Sequence, residues 1–291
     1  MCQQVLLFAV HELSAQTVDA FRALCASVPT SFRVILFFDA ERIKERDARE
    51  VGGQNVLPRH ESDWRAYKKV SPYFRRAIPG NWDGHLIKAG AQVGNWRFLW
   101  YMEYDVRFSG DWSYFFGAMD SSDADLLTTT IIRRTNIPDW PLWKSLQPPS
   151  GVEMPAWNGT LRAFMPLMRI SAEGLRCVRE DYDRGWTGHL ECVLPTVIYQ
   201  NRLSLEDLGG HGEFVREEHR GRFYRNTPEN NWLSPGTFVF QPKLRQMGSE
   251  ENMLWHPVKD SGMRGWYERD TQSAGSRVVA RIRRAAAQLL K

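Results

Sequence analysis

Short apolar runs alternate with segments of helical periodicity along the first part of the chain. VLLFAV (5–10) is followed by Ser14, a good helix N-cap, and then by apolar residues at helical spacing from Val18 to Val28. FRVILFFDA (32–40) is a second apolar run, which closes on Asp39. Continuous apolar strands that alternate with helices are typical of a parallel sheet covered on both faces. The pattern predicts an α/β fold with a Rossmann-type, mostly parallel central sheet flanked by helices.

The same pattern continues along the chain with less regularity. Residues 81–94 are loosely helical, 111–119 are typical of a short helix, and Ser171 is placed to cap a helix that runs to about Arg184. A further helix is expected to open at Thr187 and to be broken or kinked by Pro195. We expect loop or irregular helix over 41–63 and a long surface loop over 136–155. The remaining predicted strands are WRFLWYM (96–102), DLLTTTII (125–132), LRAFMPLMRIS (161–171) and GTFVFQP (236–242).

Composition narrows the class of protein. The chain has 291 residues, of which 43% are apolar and 25% are charged, as in ordinary soluble domains. The net charge of +4 favours contact with phosphates or an anionic surface, but it is too small for a dedicated nucleic-acid-binding protein. The four cysteines form no CxxC pair, which argues against a zinc site or a disulfide framework. No run has the length of a transmembrane helix, and the first residues lack a basic signal-peptide region, so a cytoplasmic location is expected.

The end of the chain has a different character. SRVVARIRRAAAQLLK (276–291) places apolar residues on one helical face and arginines on another. Two interpretations are open: a terminal helix docked on the core, or peripheral attachment to the anionic inner face of a membrane. We therefore divide the chain into a principal domain (1–265) and a basic amphipathic C-terminal helix (266–291).

Two carboxylates follow the apolar strand 96–102 at alternate positions, Glu103 and Asp105. Acid pairs of this spacing recur along the chain, so the spacing alone carries little information. Only this pair and Asp39 end a strongly apolar strand, and open α/β sheets bind ligands beyond the carboxyl ends of their strands. In an extended chain both carboxylates share a face and repel each other unless a cation relieves them. Mg²⁺ or Mn²⁺, which take oxygen ligands, are the metals expected there.

The string WYMEYDVRFSGDW (100–112) resembles the DxD region of the GT-A class of nucleotide-sugar glycosyltransferases, in an EYD form. It is closer still to a poorly characterised group of glycosyltransferase-like proteins. That group also has segments similar to GHLECVLPTVI (188–198), GTFVFQP (236–242) and WHPVKD (255–260), so the resemblance spans roughly residues 5 to 260. It implies a GT-A-like fold and transfer of a hexose from a nucleotide-diphosphate donor, most simply a UDP-sugar, to a glycan or other hydroxyl acceptor.

The resemblance also implies roles for individual residues. Three side chains would hold Mn²⁺ or Mg²⁺ against the diphosphate: Glu103, Asp105 and His256. Three more would contact the donor: Asp39 near the ribose or base, Lys259 at the phosphates, and His189. If the reaction inverts the configuration at the anomeric carbon of the sugar, Glu191 is the candidate base for the acceptor hydroxyl, with Asp183 and Asp181 as alternative candidates.

Other functions stay open at this point. A sugar nucleotidyltransferase would use a related sheet, a metal and an acid pair, but it usually needs a glycine-rich loop after the first strand, and VHELSAQ has no glycine. A relative without catalytic activity that binds carbohydrate or membrane is a second alternative. A nucleic-acid-binding module is disfavoured, because the sequence has no recognition motif and its positive charge lies mainly in the tail.

Overall fold

The structure is a computed structural model that describes residues 4–63 and 82–259. The helices are α1 (Ala15–Ser27), α2 (Glu45–Gly52), α3 (Asp83–Gln92), α4 (Trp112–Met119), α5 (Ala172–Arg184) and α6 (Leu190–Gln200). The strands are β1 (Gln4–Val10), β2 (Phe32–Asp39), β3 (Val56–Arg59), β4 (Phe98–Glu103), β5 (Arg107–Phe108), β6 (Leu126–Arg133), β7 (Leu161–Ser171), β8 (Leu205–Asp207) and β9 (Leu254–Trp255).

Seven strands form the central sheet, in the order β3-β2-β1-β4-β7-β6-β8. Strands β3, β2, β1 and β4 are parallel to one another, and β6 is parallel to β8. Strand β7 is antiparallel to both of its neighbours, β4 and β6. The first residues of β7 therefore lie at the edge where the parallel strands end. The predicted α/β class, with a mostly parallel sheet flanked by helices, is confirmed.

Each face of the sheet is covered by its own set of helices. In β1, Leu7 packs into a core with residues of α3, α5 and α6, whereas Phe8 packs on the opposite face with residues of α1 and α4. Both side chains are almost completely buried. Alternate side chains of a strand point to opposite faces, so a strand that is apolar at every position needs cover on both sides. This explains the continuous apolar runs in the sequence.

Helix starts follow the predicted caps in two places. Ser14 accepts a hydrogen bond from the backbone N–H of Thr17, and Ser171 accepts one from Gly174, as N-cap residues do. The third predicted start was wrong: α6 begins at Leu190 with His189 as its N-cap, and not at Thr187. Pro195 lies inside α6 without ending it.

Three other predictions from the sequence were wrong. The stretch 41–63 contains the regular elements α2 and β3. The stretch 136–155 contains a 3₁₀ helix, Pro141–Ser145, and it is not a surface loop throughout, because Trp140, Trp143 and Leu146 are buried in the core. The segment 236–242 is not a strand, because its backbone N–H groups donate to three separate segments: Phe238 to Arg225, Val239 to His256 and Phe240 to Trp232.

Two further predictions are not tested by the structure. The basic helix over 266–291 lies outside the described residues, and the division of the chain at residue 265 stays a prediction. Within 4–63 and 82–259, no helix is both long and apolar enough to cross a membrane.

Candidate metal site at the sheet edge

A turn at the end of β4 brings the two predicted carboxylates together. Strand β4 ends at Glu103, and the backbone N–H of Val106 then donates to the Glu103 carbonyl at 3.0 Å. The expectation of an extended chain through Asp105 is therefore wrong, although its consequence holds, since the turn keeps both side chains on one side. Asp105 is 1% exposed, whereas the Glu103 side chain is 29% exposed. The pair thus has one buried member and one that faces solvent.

The segment 237–259 returns across this turn and supplies the third member. Strand β9 pairs with β5, and the backbone N–H of Val258 donates to the Asp105 carbonyl at 2.9 Å. His256 lies between these two attachments. Its Nε2 atom is 3.6 Å from a carboxylate oxygen of Glu103 and 3.6 Å from Oδ1 of Asp105. One ligand atom from each of Glu103, Asp105 and His256 lies within 4.8 Å of the other two.

Fixed charges surround Asp105. The Lys259 ammonium lies 2.9 Å from its Oδ2 atom. Burial alone would raise the pKa of Asp105, but the neighbouring His256 and Lys259 charges hold it below its ordinary value. Burial likewise opposes protonation of His256, yet the charges of Asp105 and Glu103 leave the pKa of this histidine raised. Asp105 is therefore ionised at neutral pH and attracts cations.

Two details make the cluster suitable for a divalent metal. Oδ1 of Asp105 is buried and has no hydrogen-bond partner among the described residues, so this oxygen is free to bind a cation. The Nδ1 atom of His256 lies 2.8 Å from the carbonyl oxygen of Val239, and a ring that donates there presents an unprotonated Nε2 to the cluster when it is neutral. Two carboxylate oxygens and an imidazole nitrogen fit Mn²⁺ well and Mg²⁺ less well.

Glu191 lies next to this cluster. It is in the first turn of α6, its side chain is 22% exposed, and its charge interacts with those of Glu103 and His256. Burial is the main cause that raises the pKa of Glu191 to about 8; Arg162 opposes this increase and Glu103 adds to it. His189 is buried and caps α6, because its Nδ1 atom accepts a hydrogen bond from the Glu191 backbone N–H at 3.3 Å. The structure thus gives His189 a positioning contact with the helix that carries Glu191.

The other predicted residues have different surroundings. Asp39 ends β2 at the same edge of the sheet, where Oδ1 accepts a hydrogen bond from the backbone of Glu41 and Oδ2 lies 4.0 Å from Arg59. Asp183 is exposed near the end of α5 and does not belong to the Glu103, Asp105 and His256 group. Asp181 is buried, and it binds Arg184 and Asn201.

The sequence did not predict a role at this edge for His11 or Arg162, or for Tyr104 and Trp140, the aromatic residues that contact them. His11 follows β1 and stands edge-on to Tyr104, with ring centroids 4.6 Å apart. Arg162, near the start of β7, lies over Trp140 with its guanidinium carbon 5.2 Å from the ring centroid. A histidine directly after an apolar strand was a usable signal for His11. Nothing in the sequence distinguishes Arg162 from other charged residues within apolar runs.

Comparison with known proteins adds little to this geometry. No protein-family model and no curated protein matches the chain. A solved structure of the galactosyltransferase LgtC with donor and acceptor sugar analogues is 14% identical, with a TM-score of 0.41 over 70% of this chain and 72% of that chain. The structure of an active-site mutant of LgtC is 13% identical, with a TM-score of 0.43 over 70% of this chain and 72% of that chain. A structure described as a glucose-1-phosphate thymidylyltransferase from Bacillus anthracis, in complex with sucrose, is 11% identical. Its TM-score is 0.40 over 72% of this chain and 87% of that chain. Similarity at this level does not distinguish one activity from another.

Proposed function

We propose that the chain is a metal-dependent glycosyltransferase of the GT-A type, which moves a hexose from a nucleotide-diphosphate donor, with UDP as the carrier, to a hydroxyl group of a glycan or other acceptor. One observation carries this proposal. Glu103, Asp105 and His256 converge at the carboxyl edge of a mostly parallel sheet, and the buried Oδ1 atom of Asp105 has no hydrogen-bond partner within residues 4–63 and 82–259.

These three residues would hold Mn²⁺ or Mg²⁺. When bound, the metal supplies Lewis-acid stabilisation of the charge that develops on the departing nucleoside diphosphate. With neutral His256, the fixed charges of Glu103, Asp105 and Lys259 sum to −1, so a divalent cation makes the cluster +1. A cluster with that charge attracts a diphosphate, whereas the carboxylates alone would repel it.

We take the side of the cluster that carries Lys259 and its neighbouring positive charges as the nucleotide end. Lys259 lies between Asp105 and the Tyr104 ring, 5.3 Å from the ring centroid. Burial lowers the pKa of His11; the Glu12 charge opposes this, and the nearby Arg42, Lys259 and Arg59 charges add to it. Asp39 lies among these arginines and is placed to accept a hydrogen bond from ribose. We assign phosphate binding to Lys259 and nucleoside binding to the surroundings of His11 and Asp39.

Glu191, on the other side of the cluster, is the better candidate for the base. Its pKa is raised to about 8, so at the pH of the cytoplasm, where we place the protein, the ionised fraction of Glu191 is a stronger base than an ordinary carboxylate. His189 holds the first turn of the helix that carries this carboxyl group. Asp183 is exposed at the end of α5 and lacks such a setting.

The alternative functions have weaker support. The loop between β1 and α1 (11–14) contains no glycine, unlike the phosphate loop expected of a sugar nucleotidyltransferase. A relative that only binds carbohydrate has no need of an unpartnered buried carboxylate oxygen. Attachment to a membrane depends on the helix over 266–291, which lies outside the described residues.

Calorimetric titration of UDP, with Mn²⁺ and with chelator, tests the proposal. We expect Mn²⁺-dependent binding to the native protein, loss of the dependence in Asp105→Asn and Asp105→Ala, and normal binding in Asp183→Ala. Both substitutions remove the carboxylate that pairs with Lys259, so urea unfolding of each variant is measured first to show that it is folded, and Asn preserves the shape of Asp105 if Ala does not fold. Hydrolysis or transfer of UDP-hexoses is then measured on the same samples. Equal UDP affinity with and without Mn²⁺ in the native protein would refute the metal-dependent mechanism.

A further inference from the structure

Arg162 occupies an unusual position near the start of β7. The pairing of β7 with β4 ends at Leu167 and Met102, so residues 161–166 continue past the end of β4. Arg162 pairs instead with Ile132 near the end of β6. It therefore lies beyond the carboxyl ends of the parallel strands, on the side where ligands bind in such sheets. Only 5% of the residue is exposed.

Arg169, on the same strand, has a structural role and provides a comparison for Arg162. Arg169 is fully buried, and its guanidinium donates hydrogen bonds to the carbonyls of Met119, Ser122 and Ala124 at 3.2, 2.7 and 3.3 Å. Among the described residues, Arg162 donates only to the carbonyl of Pro228, at the long distance of 3.5 Å. Within the described part of the chain, no carboxylate oxygen lies within 4.0 Å of its guanidinium.

Hydrogen bonds within the described residues therefore use little of the donor capacity of this near-buried cation, and its other nitrogens stay accessible, because none of them is among the fully buried atoms without a partner. An arginine guanidinium carries five N–H donors in a planar fork, and burying such a charge without partners is costly. The aromatic face of Trp140 provides partial compensation, as does the more distant charge of Glu191. Neither contact satisfies the N–H groups of the fork.

The surroundings of Arg162 also separate it from the nucleotide end. The Glu191 charge interacts with Arg162, Glu103 and His256, whereas the Lys259 charge interacts with Asp105 and Tyr104. Lys259 thus lies next to Asp105, whereas Arg162 lies near Glu191, whose charge interacts with the Glu103 and His256 members of the cluster. If Lys259 binds the diphosphate, Arg162 is on the side of the cluster that receives the sugars.

We propose that Arg162 is a specificity-determining residue that binds a carboxylate or phosphate group carried by a sugar substrate, either the transferred sugar or the acceptor. The inference rests on the proposed function and specifies its substrate class. A carboxylate or a phosphate matches the fork by accepting two parallel N–H bonds, and it supplies the negative charge that the site lacks. Trp140 offers an aromatic face beside that group for the sugar ring.

The experiment has a donor arm and an acceptor arm. In the donor arm, calorimetry with Mn²⁺ compares UDP-glucuronate with UDP-glucose. In the acceptor arm, saturation-transfer NMR in the presence of UDP and Mn²⁺ compares glucuronate and glucose 6-phosphate with glucose. Each arm uses the native protein, Arg162→Gln and Arg162→Lys, and each sample is first titrated with UDP and Mn²⁺ alone.

In one of the two arms we expect the native protein to bind the anionic sugar at least about tenfold more tightly than the neutral one, as charge-assisted hydrogen bonds allow. Arg162→Gln should lose this preference and keep its affinity for UDP with Mn²⁺. Arg162→Lys should retain part of the preference, since it keeps the charge but not the fork; this variant decides the question if Arg162→Gln does not fold.

Three results would overturn the inference: no anionic preference in either arm, an unchanged preference in both variants, or an equal loss of UDP affinity, which would place Arg162 at the diphosphate. A native protein that does not bind UDP in a Mn²⁺-dependent manner would instead refute the proposed function itself.

Discussion

Substitution of Glu191 by Gln should stabilise the protein, and increasingly so as pH rises. The pKa of Glu191 is raised from 4.5 to about 8, chiefly by burial. Between these two values the folded state holds a proton that the unfolded state has released, so the stability of the native protein falls as pH increases. Below about pH 4.5 both states are protonated and this loss is absent. Gln resembles the protonated form and does not titrate.

The size of the effect follows from the two pKa values. Linkage gives a loss of about 1 kcal/mol at pH 5.5 and about 4–5 kcal/mol at pH 8.5. Because 22% of the side chain is exposed, water screens part of this difference. We therefore expect the gap in free energy of unfolding between Glu191→Gln and the native protein to widen by about 2 kcal/mol over that pH range.

Urea unfolding at several pH values, in chelator so that no metal contributes, measures this gap. Glu173→Gln is the matched control. Glu173 is an exposed acid in the first turn of α5, and its hydrogen bond with Arg176 lowers its pKa, so the stability it provides is lost only below about pH 4.5. Its gap should stay constant from pH 5.5 to 8.5. A constant gap for Glu191→Gln as well would refute the burial of this carboxyl group.

Two further substitutions test the charges and hydrogen bonds around the site. Lys259→Met should tighten binding of Mn²⁺ alone, because the Lys259 ammonium competes with the metal for Asp105. It should weaken binding of UDP with Mn²⁺, because a phosphate-binding cation is lost. Calorimetry of each ligand measures both effects, and weaker binding of Mn²⁺ alone would contradict the prediction. Tyr224→Phe should lower the free energy of unfolding in urea by about 2–3 kcal/mol. The Tyr224 hydroxyl donates to buried Asp207 at 2.7 Å and accepts from the Thr130 backbone N–H at 2.6 Å, and Phe makes neither bond. A decrease below about 0.5 kcal/mol would show that water replaces these bonds.

The sheet was predictable where burial on both faces imposed a pattern on the sequence. Strands β1, β2 and β4 read as continuous apolar runs for this reason, and Ser14 and Ser171 mark helix starts through their own side-chain chemistry. Strand β3 escaped prediction because it is short, partly exposed and paired on one side only, with β2. The segment 236–242 has the apolar content of a strand, but its backbone partners come from three separate loops, which local sequence does not encode.

The site was predictable in proportion to its dependence on strand ends. Glu103, Asp105 and Asp39 follow apolar strands, and the edge of a parallel sheet gathers such residues. His256 was identified through a resemblance, and the structure brings it to the two acids across more than half of the chain. Arg162 and Arg169 interrupt the same apolar run, LRAFMPLMRIS, and only three-dimensional contacts show that Arg169 donates to three backbone carbonyls, whereas Arg162 donates to one within the described residues, at 3.5 Å.

The return of segment 237–259 across the end of β4 has a consequence for biosynthesis. A ribosome makes the chain from its N-terminus, so the strands that carry Glu103 and Asp105 emerge long before His256 and Lys259. Until residue 259 has left the exit tunnel, a nascent chain has two acids at the sheet edge and neither of the basic groups that face them. Completion of this cluster is therefore one of the last folding events of the described part of the protein, and a prematurely terminated product would lack it.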